Sequence, residues 1–272
     1  MRRSFFAGLA IALVSQSIVS QAEAAPARLP FRSSFETGTF SEWNGGTTGR
    51  LVVTTEDASQ GTHSVRGTVI AGTGADQYKD FYFGNHPTVG GEAVSVDRGL
   101  WLSFDSKFDN GFVFGSNPVH KIMLVNFDDE NARRRYQIIV NIWTPTGEYF
   151  LEHVVWNADR SFNKTIPGID QNVPPDAIMR RGVWEHIKLF IKPNTPGQSN
   201  GIVRMWVNGA LKTDRTSVAV RENTNFLPNK LIVGNYVTDL VTNGTQRWDN
   251  VVLSDVDPDG VRPSAPTNTT AQ

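Results

Sequence analysis

From residue 31 onward, apolar side chains recur at every second position in short runs, and the 3.6-residue spacing of an amphipathic helix is almost absent. Alternation of period two sorts successive side chains onto opposite faces of a strand. Leu100, Leu102, Phe104 and Phe108 fall on one face, with Trp101, Ser103, Asp105 and Lys107 on the other. Ile138, Val140 and Ile142 oppose Gln137, Asn141 and Trp143; Ile187, Leu189 and Ile191 oppose Trp184, His186 and Lys188. Val203, Met205 and Val207 oppose Arg204, Trp206 and Asn208. The pattern predicts strands near 31–35, 51–54, 64–70, 100–108, 121–127, 136–143, 149–156, 184–192, 202–207, 231–237 and 247–253. Asn208-Gly209 reads as a hairpin turn, because both residues tolerate positive φ. Only 175–180 reads as a helical turn. The expected fold is an all-β sandwich of two antiparallel sheets.

The ends of the chain read differently. Met1-Arg2-Arg3, an apolar run from Phe5 to Val14 and the small-residue site Ala22-Glu23-Ala24 have the form of a secretory signal peptide over 1–24. A secreted or periplasmic protein is therefore expected, with a β-sandwich domain over 25–260. The Pro-, Thr- and Ser-rich stretch 261–272 lacks an apolar pattern and is expected to be a disordered tail. Cysteine is absent, which excludes disulfides, thiolate metal sites and thiol nucleophiles. With 26 Lys and Arg against 27 Asp and Glu, nothing marks a nucleic-acid or membrane partner, and a monomer is expected.

The outer faces suggest the ligand. Seven Trp occur, several expected to face outward beside amide and basic groups. Sugars present apolar C–H patches and a polar rim, so flat aromatic rings with Asn, Gln, Arg and Lys suit a polysaccharide.

Longer motifs carry a family resemblance. Phe31-Arg32-Ser33-Ser34-Phe35-Glu36-Thr37-Gly38 followed by Trp43 resembles the opening strand of concanavalin A-like jelly rolls, and Trp248-Asp249-Asn250-Val251-Val252-Leu253 resembles their closing strand. Trp184-Glu185-His186-Ile187-Lys188-Leu189 and Ile202-Val203-Arg204-Met205-Trp206-Val207-Asn208-Gly209 resemble the paired late strands. Gly99-Leu100-Trp101-Leu102-Ser103-Phe104 with Val119-His120-Lys121-Ile122 resembles secreted polysaccharide lyases of the alginate and heparin lyase type.

That resemblance implies β-elimination on an anionic, uronate-containing polysaccharide. It makes His120 the base, Tyr136 or Tyr149 the acid, and Gln137, Arg135 or Lys107 the partner of the substrate carboxylate. It further implies a structural Ca2+ held by Glu36 and Asp249, and no organic cofactor. The chain departs from these lyases in lacking the Gln-Ile-His triplet and the long Tyr-rich motif of the last catalytic strand. Those departures keep a non-catalytic carbohydrate-binding or laminin-G-like module as the alternative. A retaining or inverting hydrolase finds no support, since no Glu-x-Asp-x-x-Glu array occurs.

Overall fold

A computed structural model describes residues 29–72, 75–116, 119–156, 162–163, 178–237 and 241–259. The segment read as a signal peptide and the stretch read as a tail lie outside these residues, as does 175–177 of the expected helical turn. The rest of that turn is extended: Ile178 bridges antiparallel to Glu148.

Among the described residues fifteen strands build two sheets. Sheet I contains β1 (Phe31–Ser33), β3 (Leu51–Thr54), β4 (Ser64–Val69), β6 (Leu100–Phe108), β11 (Glu185–Lys192), β12 (Gly201–Val207), β13 (Ala210–Val218) and β15 (Gly244–Ser254). Its order is β13-β12-β11-β6-β15-β4-β3, with β1 also on β15. Sheet II contains β2 (Gly45–Thr47), β5 (Ala75–Tyr82), β7 (Val119–Asp128), β8 (Arg134–Trp143), β9 (Glu148–Trp156), β10 (Phe162–Asn163) and β14 (Lys230–Val237). Its order is β10-β9-β8-β7-β14-β5-β2. All these pairings are antiparallel, and the first strand pairs with the last, Phe31 opposite Leu253. The protein is an all-β jelly-roll sandwich.

The expected alternation is what closes the two layers. Leu100, Leu102, Phe104 and Phe108 of β6 and Ile187, Leu189 and Ile191 of β11 meet Ile138, Val140 and Ile142 of β8 in one buried cluster. Fully burying a side chain of this size stabilises by about 1.5–3 kcal/mol. Phe31 of sheet I stacks on Phe81 of sheet II with ring centroids 3.7 Å apart. Phe35, two residues past β1, turns the chain at φ 59 and is fully buried. The Asn208-Gly209 hairpin forms as expected, with φ of 50 and 81.

Two long strands escaped the pattern. β5 reads Ala-Asp-Gln-Tyr-Lys-Asp-Phe-Tyr and β13 reads Ala-Leu-Lys-Thr-Asp-Arg-Thr-Ser-Val, both too polar to show an apolar stripe. Each is held by its neighbours' backbone: β5 lies between β14 and β2, and β13 caps the edge beside β12.

Candidate active site

The two outer faces differ sharply. On sheet I, Trp101 and Trp206 stack at 5.8 Å, and Lys188 Nζ lies 5.5 and 5.3 Å from their ring centroids. Lys188 in turn pairs with Asp257 at 3.2 Å and Asp259 at 2.8 Å. The segment after β15 thus ties down both rings, which are only 9% and 7% exposed. Trp184 donates its indole N–H to Asp57, which also pairs with Lys107. These tryptophans, expected as sugar platforms, are structural here.

Sheet II carries a second, smaller apolar cluster on its outer face: Leu124, Ile139 and Val154, with Ile232 against them. Around this floor the strand register lays out rows of polar groups, because directly opposed residues share a face. One row runs Tyr82, Lys230, Asn126, Gln137 across β5, β14, β7 and β8. Gln137 Nε2 donates to Asn126 Oδ1 at 2.8 Å, and Lys230 pairs with Asp80 at 2.8 Å while lying over the Tyr82 ring. Burial first, and then the charge of Asp80, push the Tyr82 phenol up to about 12. His86 stacks behind Tyr82 at 4.3 Å and faces Asp128 at 3.4 Å.

A further row contains Lys121, opposed by Tyr236 on β14 and by Asn141 on β8. The bulge between Lys121 and Met123 turns both Ile122 and Met123 into the core, leaving Lys121 beside Asn141 on the outer face. Asn141 Nδ2 donates to Glu152 at 3.2 Å. On β5, Tyr78 is exposed and lies opposite Gly234 of β14, which offers no side chain. Tyr78 and Lys121 therefore stand on the two strands that flank β14, two strand spacings and two residues of register apart, or about 12 Å. The amides of this face are buried, whereas Lys121, Lys230, Tyr82 and Arg135 are partly exposed. A buried floor of paired amides under reachable cations and phenols can hold and titrate an anionic sugar.

The residues first singled out do not converge. His120 faces the core from β7, 3% exposed, boxed by Phe108, Phe112 and Phe114 at 5.4 Å each. Its Nε2 lies 3.1 Å from Asn235 Oδ1 and 3.2 Å from Gln246 Oε1, both carbonyl acceptors, so it donates there. Tyr136 also points inward and accepts from the Glu222 backbone N–H at 3.1 Å; burial raises its phenol pKa. Tyr149 is fully buried and donates to Glu185 at 2.8 Å, with its pKa driven well above the ordinary phenol range by burial. Lys107 stands on the other sheet. Of that set only Gln137 and Arg135 lie along the outer side of β8, and the Arg135 guanidinium sits over Phe226 at 5.4 Å.

Glu36 and Asp249 do not fit a calcium site. Glu36 Oε1 accepts the backbone N–H groups of Thr62 and His63, and Oε2 accepts the Thr62 hydroxyl. Asp249 accepts the N–H groups of Ser59, Gln60 and Asn250. Calcium takes six to eight oxygen ligands. Here the carboxylates face N–H and O–H donors, and among the described residues no three His, Asp or Glu converge to hold a metal.

Lys121, Asn141, Asn126, Lys230, Tyr78 and Tyr82 were missed as a group. The available signal was amides set at even spacing inside otherwise apolar runs, as in Gln137-Ile138-Ile139-Val140-Asn141.

Comparison with known proteins agrees with this architecture. Residues 35–254 match the family model described as polysaccharide lyase. An endo-β-1,4-glucuronan lyase from the fungus Trichoderma reesei superposes with a TM-score of 0.58 at 15% identity, covering 85% of this chain and 99% of that one. The alginate lyase Aly36B gives 0.54 at 14% identity over 85% and 98% of the two chains. Alginate lyase vAL-1 from a Chlorella virus gives 0.53 at 13% over 78% and 92%. No curated protein sequence matches the chain. At these identities the structural likenesses establish the fold.

Proposed function

The chain belongs to the polysaccharide lyase family, and from that premise we propose that it cleaves a uronate-containing polysaccharide by β-elimination on the outer face of sheet II. In this reading Lys121 takes the C5 proton of the uronate. Electrons from the C5–H bond form a C4–C5 double bond as the C4–O bond breaks, and the leaving oxygen takes a proton. That proton comes from Tyr78, the exposed tyrosine across β14 from Lys121. Lys230, in the row of Asn126 and Gln137, and Arg135, two residues before Gln137 on β8, supply the positive potential that draws uronate carboxylates to the face. Secretion through residues 1–24 would bring the enzyme to such a polymer.

The observation that carries the reading is the sorting of ionisable groups. Lys121, Tyr78, Lys230 and Arg135 stand reachable on one face of a lyase fold. His120, Tyr136 and Tyr149 are sealed between the sheets. The test is to incubate the protein with alginate, glucuronan, heparin and pectate and follow the ultraviolet absorbance of the unsaturated product. Absorbance growing on one of these, and lost in Lys121→Ala, supports the reading. No absorbance on any of them sinks it. Tyr78→Phe, measured alongside, tests the acid.

A further inference from the structure

The Trp143 ring is broadly exposed, at 41%. It follows Asn141 by two positions on β8, so it lies on the same outer face about 7 Å further along the strand. Phe150 of β9, opposite Asn141 in the register, meets the Trp143 ring edge-on with centroids 6.4 Å apart. That contact braces the indole and leaves a face open. An exposed flat ring one sugar length from the Lys121–Asn141 row is placed for the next unit of a chain lying along β8.

The two residues after Trp143 lead from this face to a neighbouring cavity. Thr144 and Pro145 line a cavity of about 380 Å³ together with Phe112, Phe114 and Arg181. Arg181 is fixed there: its Nε donates to the Phe112 carbonyl at 2.9 Å and its guanidinium lies 5.4 Å from the Phe114 ring centroid. A guanidinium anchored through Nε keeps its two terminal nitrogens for a carboxylate, and a planar fork suits that ligand. An apolar ring face one residue from the lining of a cavity that holds a cation matches one uronate, whose C–H patch stacks while its carboxylate reaches the arginine.

We infer that Trp143 and Arg181 form a second uronate subsite, which binds a unit of the polymer flanking the one that is cleaved. The inference rests on the reading of the outer face of sheet II as the cleavage site, and it makes the enzyme one that grips several consecutive uronates. Neither residue touches the bond that breaks. Their contribution appears in how strongly the enzyme prefers longer chains.

The test uses the whole protein and purified uronate oligosaccharides from disaccharide to hexasaccharide, of the polymer type it cleaves. Trp143→Ala is expected to lower kcat/KM for the longest oligosaccharide on the order of tenfold, as for loss of one stacking contact. The loss should shrink as the chain shortens, and Trp143→Phe should restore most of it. Arg181→Ala should give the same length dependence. Titration calorimetry with a hexasaccharide, in a Lys121→Ala background that spares the ligand from cleavage, should show the same weakening. A loss equal at every length, or no loss, overturns the subsite while leaving the cleavage reading in place. An unmodified protein that releases no unsaturated product from any uronate polymer overturns both.

Discussion

Glu36 and Asp249, from opposite ends of the chain, grip the two ends of one turn. Glu36 accepts the N–H groups of Thr62 and His63 at 2.9 Å each, and Asp249 those of Ser59 at 2.9 Å and Gln60 at 3.2 Å. Between them Gly61, at φ 67, brings the backbone so close that a Cβ there would collide with Glu36 Oε1. The first and last strands are thereby joined through the loop before β4 as well as by their own pairing.

The two acids respond to pH in opposite senses. Hydrogen bonds, the His63 N–H foremost, hold Glu36 down to about 2 from its ordinary 4.5, whereas burial lifts Asp249 from 3.8 to about 6. Glu36 therefore contributes stability that is present above its unfolded pKa and lost as pH falls toward 2. Asp249 contributes stability that is full below 3.8 and lost as pH rises through about 6. Thermal melts should show Glu36→Gln destabilising more at pH 6 than near pH 2. Asp249→Asn should cost less at pH 7 than at pH 4, and the same cost at both would remove the account of its carboxyl.

In the proposed reaction Lys121, half-buried beside Asn141, takes the C5 proton. Lys121→Ala should lower kcat by about 10²–10⁴, the usual contribution of a positioned proton-transfer group. Because the side chain lies on the outer face, the melting temperature should stay near that of the unchanged protein. A variant retaining full turnover would return the base to another residue.

His120 and Tyr149 should matter for folding and not for chemistry. His120→Ala strands Asn235 and Gln246 between the sheets, and Tyr149→Phe removes a buried hydrogen bond to Glu185. Each should cost about 1–3 kcal/mol in denaturant titration. Turnover per folded molecule should be unchanged. Loss of kcat without loss of stability would reinstate His120 as the base.

Lys188 ties the segment after β15 onto sheet I, and its removal leaves Asp257 and Asp259 without their shared cation over Trp101 and Trp206. Lys188→Ala should destabilise by about 2–4 kcal/mol, as for breaking a largely buried charge pair. The two indoles should then become more accessible to acrylamide quenching. Unaltered stability and quenching would show that the segment does not depend on this contact.

Much of the sandwich was legible because strands buried on one face advertise it at every second residue. Leu51–Thr54 and Leu100–Phe108 appear at the expected limits, and the other apolar runs shift by only a few residues at their ends. β5 was not legible, since Asp76, Gln77, Tyr78, Lys79 and Asp80 give no stripe, and its place is set by pairing with β14. The site suffered from the same limit. His120 looked catalytic from its neighbourhood in sequence, but on β7 it shares the inward face with Ile122. Which face that was depended on the bulge after Lys121, a feature of the pairing with β8.

The amino-acid sequence by itself determined that this protein is a two-layer β structure with a greasy interior, because period-two patterning is a local property of each strand. Only the tertiary structure decided which strands neighbour one another and therefore which outer face gathers chemistry. Trp101 and Trp143 look alike in sequence, each a tryptophan opposite a core position. One is pinned under Lys188 and the chain's return, and the other stands open beside Lys121 and Asn141. Burial is settled by groups distant in sequence, and no local pattern records which of them arrive.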